Sequence, residues 1–256
     1  MVNGRCKIFE FEEKLAKRMH IDIKCKSSAN YEIVLKRSKE MIDHDQPILI
    51  YVDMPYLKYL GMDENSHFGG HAVVLFGYDD EKKEFLISDR DNHDFSIRTP
   101  FGSVQEDYHL VSYEELKQAR TSTHRPFPAK NKYLEINMDG YEKPGKAVLC
   151  EAIKETCDGM INPPAKLLGL NGIQKFSKEI LKWKNFSKSK LRLAGITNYF
   201  QISKDGGTGG GIFRTMYGEF LIEASSILEV KEAQEIGFGY IKMGKKWDEL
   251  VLVCFY

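Results

Sequence analysis

The chain has 256 residues, 42% of them apolar, and its 37 lysines plus arginines are balanced by 37 aspartates plus glutamates. That size and apolar content suffice for one large domain or two small ones, and the zero net charge argues against a nucleic acid or a membrane surface as partner. No stretch nears the ~18 unbroken apolar residues of a spanning helix and no apolar h-region follows Met1. Five cysteines, an odd number, suit a reducing compartment, so a cytoplasmic protein is expected.

In chain order, Phe11, Leu15 and Met19 recur at helical spacing within a segment from Phe9 to Met19, and the short apolar Ile21-Asp22-Ile23 follows. Ser27 or Ser28 is placed to cap a second helix through Tyr31, Val34, Leu35, Ser38 and Ile42. Pro47 then opens the run Ile48-Leu49-Ile50-Tyr51-Val52, which ends at Asp53. Such unbroken apolarity predicts a strand buried on both faces. A loop with Pro55, Tyr56 and Tyr59 leads to a hairpin: Ala72 to Tyr78, a polar turn from Asp79 to Lys83, and Glu84 to Ser88. Ser112, with Glu115 three residues on, reads as a capping box opening a helix, and Tyr133 to Asn137 as a last strand.

Near Asp139-Gly140 the strand signals fade. Helices are expected over Ala147–Met160, Gly172–Trp183, Ile212–Leu228 and from Val230 onward, punctuated by Pro163-Pro164 and the glycine-rich 206–211. The chain thus reads as an α+β domain over 1–138 followed by an all-α domain over 139–256.

His71 is the most informative residue. It follows Gly69-Gly70, which leave room for backbone or substrate beside its ring, and it stands at the mouth of the hairpin whose second strand ends at Asp89. A thiol enzyme needs an imidazole to take the cysteine proton and an acid or amide to fix the imidazole tautomer. Asp89 and Asp91 share one face of the second strand; whether that is the His71 face depends on a one-residue choice of register, or on a bulge. Asp89 is preferred because it directly follows the apolar strand. His67 stands aside as a substrate-side or loop residue.

Of the cysteines, Cys6 precedes the first helix between Arg5 and Lys7, Cys25 reads as part of a polar loop, and Cys254 lies near the end. Cys150 and Cys157, seven apart on one helix, have the spacing of core residues; no metal-binding pattern exists and no cofactor is expected. Gly206 to Gly211 runs into an amphipathic helix with Phe213, Met216, Tyr217, Phe220, Leu221, Ala224 and Leu228 on its apolar side. Gly209, Gly210 and Arg214 could bind an anionic group there. The P-loop lysine is absent, however, so a close backbone approach or a flexible loop is the preferred reading.

Together these residues resemble the butirosin biosynthesis protein H family. The likeness is carried by Pro47 to Asp53 with Tyr56-Leu57, by His67-Phe68-Gly69-Gly70-His71 through Asp89, and by Ala119-Arg120. In the second half it is carried by Tyr199, Gly207-Thr208-Gly209-Gly210-Gly211-Ile212-Phe213-Arg214, Tyr217, Phe220-Leu221 and Glu223-Ala224.

The resemblance implies a papain-like domain with an antiparallel sheet, similar to the bacteriocin-processing cysteine proteases, and a helical domain of unassigned function. It implies acyl transfer: an aminoacyl group passed from an acyl carrier protein, through a cysteine thioester, to a small amine in antibiotic biosynthesis, with His71 as base and Asp89 as acid. The family's nucleophile precedes the segment that matches Gly4-Arg5, so Cys6 does not match it. The chain is therefore expected to be an N-terminally shortened form, inactive without an upstream cysteine and prone to dimerise through exposed apolar surface. The alternatives are a non-catalytic binding module or decayed enzyme, and an amide or peptide hydrolase of papain-like type.

Overall fold

A computed structural model describes residues 10–89, 97–99, 102–104, 108–203 and 210–255. They fold as two units, an α+β unit over residues 10–142 and a helical unit over residues 143–255.

The first unit is built on an antiparallel sheet of six strands. In chain order its elements are α1 (Glu10–Met19), β1 (Asp22–Lys26), α2 (Tyr31–Ile42), β2 (Ile48–Val52), β3 (His71–Asp79) and β4 (Glu84–Ser88). The small pair β5 (Ile97–Thr99) and β6 (Gly102–Val104) follows, then β7 (His109–Ser112), α3 (Tyr113–Thr121) and β8 (Tyr133–Asn137). The sheet order is β1-β8-β2-β3-β4-β7, so β8 inserts between β1 and β2 and makes β2 a central strand. That position explains the unbroken apolar run: Ile48, Ile50, Tyr51 and Val52 are all buried.

Register decides the two faces. Ile48, Ile50 and Val52 pair with Leu75, Val73 and His71, and Ile87 and Phe85 continue the same face across β4. Against it pack Val34 and Met41 of α2, Leu116 and Ala119 of α3, Leu57 between two short 3₁₀ turns and Leu60 at the end of the second, forming the core. The other face carries Val74, Phe76 and Leu110, all exposed.

Several details differ from the sequence reading. Asn30 caps α2, its side chain accepting from the Glu32 N–H, while Ser28 accepts one step earlier from the Asn30 N–H. Cys25 lies in β1 and not in a loop. The capping box at Ser112 and Glu115 is present as expected.

The helical unit contains α4 (Lys146–Ile161), α5 (Gly169–Ile180), α6 (Lys188–Ile202), α7 (Ile212–Leu228) and α8 (Lys231–Phe255). Trp183 falls in a 3₁₀ turn beyond α5. The sequence reading lacked α6, whose apolar residues are spread around the helix; its one local signal is Ser187, which caps it. Cys150 and Cys157 are exposed on α4, not buried as their spacing suggested.

α7 and α8 form an antiparallel hairpin with glycines at its contacts. A methyl group on Gly211 would meet Gly244 O at 2.1 Å, and one on Gly218 would meet Gly237 O at 2.5 Å. Glycines seven residues apart on each helix therefore let the two backbones touch. Among the described residues no helix is long and apolar enough to cross a membrane.

Candidate active site

The strand pairing creates the site. β3 and β4 pair Asp79 with Glu84, Tyr78 with Phe85 and Gly77 with Leu86; beyond Phe76 the partners become Leu75 with Ile87 and Val74 with Ser88. Phe76 is thus one residue extra, a bulge. Partners across an antiparallel pair share a face, and faces alternate along each strand. In an unbulged register Asp89 would fall opposite Val74, on the face away from His71. The bulge moves it opposite Val73, onto the face of His71.

There the His71 Nε2–H donates to both oxygens of Asp89, at 2.8 Å each. A carboxylate only accepts, so the proton sits on Nε2 and Nδ1 carries the free lone pair. Nδ1 has no partner among the described residues. The Asp89 side chain is 2% exposed and the His71 ring 15%, so the carboxylate is sealed and the imidazole reaches the surface. Tyr59 also donates to Asp89 Oδ2, at 2.6 Å, and its ring stacks on His109 with centroids 3.9 Å apart. Burial first, and then the Asp89 charge, push the Tyr59 hydroxyl well above the usual phenol range, which keeps it a donor.

A second imidazole–carboxylate pair lies at the same end of the sheet. Asp53, fully buried where β2 ends, accepts from His67 Nδ1–H at 2.9 Å, from the Phe68 N–H at 2.7 Å and from the Ser122 hydroxyl. Its own N–H donates to Ala119 O. The His67 ring lies flat on that of His124, with centroids 3.4 Å apart and planes 4° from parallel. The sequence reading did not bring Asp53, Tyr59, His109, Ser122 or His124 into a site. The one local signal was that Asp53 ends an apolar strand and His67 shares a glycine loop with His71.

Gly69 and Gly70 shape the loop before His71. A methyl group on Gly69 would lie 2.4 Å from Ala129 N and 2.5 Å from Phe127 O, so the loop must press against that segment. Asp91, Cys6 and Gly209 lie outside the described residues. Gly210 adopts a left-handed φ of 60°. Arg214 stacks on the Trp247 ring, 3.7 Å from its centroid, and burial lowers its pKa. The Gly211 N–H at the head of α7 donates to Asp248 Oδ1. A carboxylate of the chain itself thus occupies the point where an anionic ligand would meet the helix.

Cys25 is no partner for His71. It pairs with Leu134, Leu134 with Leu49, and Leu49 with Val74, so its row crosses the face opposite to His71. Burial also raises its thiol pKa. Among the described residues no cluster of three or more histidines, cysteines or carboxylates could hold a metal.

The fold and site define an α+β protein with a carboxylate-oriented histidine at one sheet end and an all-helical second unit. The chain belongs to the butirosin biosynthesis protein H family: residues 1–90 match the family described as butirosin biosynthesis protein H, N-terminal, and residues 114–255 match a domain of unknown function, DUF4872. A comparison with curated proteins gave no match. The second match begins inside α3 and includes β8, a strand of the first unit, so the family boundary does not follow the folded one.

Proposed function

We propose that this protein is a cysteine-dependent acyltransferase of papain-like architecture, moving an aminoacyl group from an acyl carrier protein thioester to a small amine. Membership of the family points more broadly to a function related to butirosin biosynthesis. The observation that carries the proposal is the His71–Asp89 pair, with Nε2 tied to a sealed carboxylate and Nδ1 left for a thiol. In the first half-reaction Nδ1 takes the thiol proton, the thiolate sulfur attacks the donor thioester, and the donor leaves as a thiol by taking that proton. In the second half-reaction the amine nitrogen attacks the thioester carbon, one of its protons passes to Nδ1, and the carbon–sulfur bond breaks to release the enzyme thiolate. Asp89 holds the ring in the tautomer both halves need.

The thiol is not Cys25, which lies on the other face; Cys6 lies outside the described residues. Intact-mass measurement tests the reading. After incubation with an acyl N-acetylcysteamine thioester, a form of the protein carrying the cysteine expected upstream of Gly4 gains one acyl group on it, and its His71→Ala variant does not. No adduct on the wild type, or equal adducts on both, supports instead a binding module without chemistry. Release of the acyl group to water in preference to every amine supports a hydrolase. A homodimer through the exposed Val74, Phe76 and Leu110 belongs to the same proposal, and a monomer in light scattering removes it.

A further inference from the structure

We propose that His67, held by Asp53, is a second base of this site, and that it takes the extra proton that an ammonium acceptor brings; this rests on the acyl-transfer reading above. An alkyl amine of lysine-like basicity, pKa about 10, is an ammonium ion at neutral pH. To become an amide its nitrogen must lose two protons, whereas water attacking the same thioester loses one. When the nitrogen–carbon bond forms and the carbon–sulfur bond breaks, one proton passes to His71, restoring the imidazolium beside the cysteine thiolate. The other proton needs a second acceptor.

His67 has the construction of one. Its Nδ1–H donates to a fully buried carboxylate, which leaves Nε2 with the lone pair and no partner among the described residues. The pair repeats the design of His71 and Asp89, with a His67 side chain 19% exposed over a carboxylate at 0%. It also lies at the same place. Val52, the residue before Asp53, is the register partner of His71. Partner Cα atoms lie roughly 4.5–5.5 Å apart and successive ones about 3.8 Å, so the Asp53 Cα is within about 9 Å of that of His71. The groups facing His67 are Asp53 from the end of β2, Tyr56 from the following turn, and His124 from beyond α3. From the same segment as His124, Ser122 reaches the shared carboxylate. His67 is therefore placed to strip the acceptor ammonium, hand the proton to solvent, and bias the acyl-enzyme towards amines over water.

The test compares the protein carrying the cysteine expected upstream of Gly4 with its His67→Gln variant. Each is acylated with an acyl N-acetylcysteamine thioester, then chased with 2-aminoethanol, with hydroxylamine, which is unprotonated near pH 7, or with buffer alone. The expected result is normal acylation and normal loss to water and hydroxylamine, with the 2-aminoethanol chase slowed about a hundredfold at pH 7. That loss should disappear as the pH approaches the pKa of 2-aminoethanol. Equal slowing with both amines makes His67 a structural brace and overturns the inference, as does no slowing at all. A wild type that never acylates removes the acyl-transfer reading itself, and this inference with it.

Discussion

His71 and Asp89 meet because β3 carries one residue more than β4 on the way from their shared turn: Phe76 has no partner, and the register shifts across it. Pairing Phe76 within the ladder would instead turn the acid away from His71. Deleting Phe76 leaves Leu75 opposite Ile87 and Asp89 opposite Val73, so the evened ladder keeps the acid on the His71 face. The deletion should therefore retain the downfield proton signal of a His71 Nε2–H bound to carboxylate, with far-UV circular dichroism native. A lost signal means that the strands pair in another register once the bulge is gone.

The dyad predicts graded losses. On the acyl-transfer proposal, His71→Ala should cut the acylation rate by about 10²–10⁴. Asp89→Asn offers an amide that can present either face to Nε2, and should fall in the same range through loss of the tautomer. Tyr59→Phe removes only the 2.6 Å bond to Asp89, worth about 1.5 kcal/mol, and should cost about tenfold. Single-turnover rates order the three. A Tyr59→Phe loss as large as that of Asp89→Asn would make the tyrosine part of the chemistry itself.

Much of this was legible in the residues. β2 announced itself by an unbroken apolar run, the β3–β4 hairpin by two apolar runs around a charged turn, and α3 by Ser112 and Glu115. The bulge was not legible, because Phe76 satisfies the same β preference whether or not it has a partner; only the pairing of both strands places it. The second imidazole–carboxylate pair joins positions 53, 67, 122 and 124, and such separation leaves no spacing to read. Cys150 and Cys157 show the converse: a seven-residue interval puts two side chains on one helical face without saying that anything covers it.

Arg120 sits in the core at 0% exposure, and burial lowers its pKa to about 10. Its Nη1 donates to the Ser38 hydroxyl at 3.0 Å, while Nε and Nη2 have no partner among the described residues. A buried charge with no carboxylate opposite it costs stability, and an apolar side chain of similar length removes that cost. Ser38 keeps its own bond to Val34 O. Arg120→Met should therefore raise the unfolding free energy by about 1–3 kcal/mol in urea. A loss instead would assign the guanidinium a compensating partner.

Alkaline pH should loosen the first unit through Tyr51. Burial first, then the Glu12 carboxylate, push its hydroxyl up to about 12, and an unfolded tyrosine titrates near 10. The folded pKa is the higher, so the stabilisation is fully present below pH ~10 and is lost as pH rises towards ~12. A shift of that size corresponds to at most about 2.7 kcal/mol. The urea midpoint should hold from pH 7 to 9 and then fall, and Tyr51→Phe should flatten the fall. A midpoint unchanged to pH 11 contradicts the assignment.

The helical hairpin offers two glycine substitutions of opposite sign on one helix. Gly237 of α8 lies against α7: an added methyl group would sit 2.6 Å from Gly218 O and 2.7 Å from Ile222 Cγ1. Gly239, two residues on, has nothing within 4 Å of the same construction. Gly237→Ala must push the backbones apart, which should cost about 1–3 kcal/mol despite the better helix propensity. Gly239→Ala meets no obstacle and gains about 0.5–1 kcal/mol by ordering the unfolded chain less expensively. Thermal unfolding of the two variants should therefore move in opposite directions from the wild type. If both rise, α7 and α8 are not in backbone contact, and the seven-residue glycine spacing has some other cause.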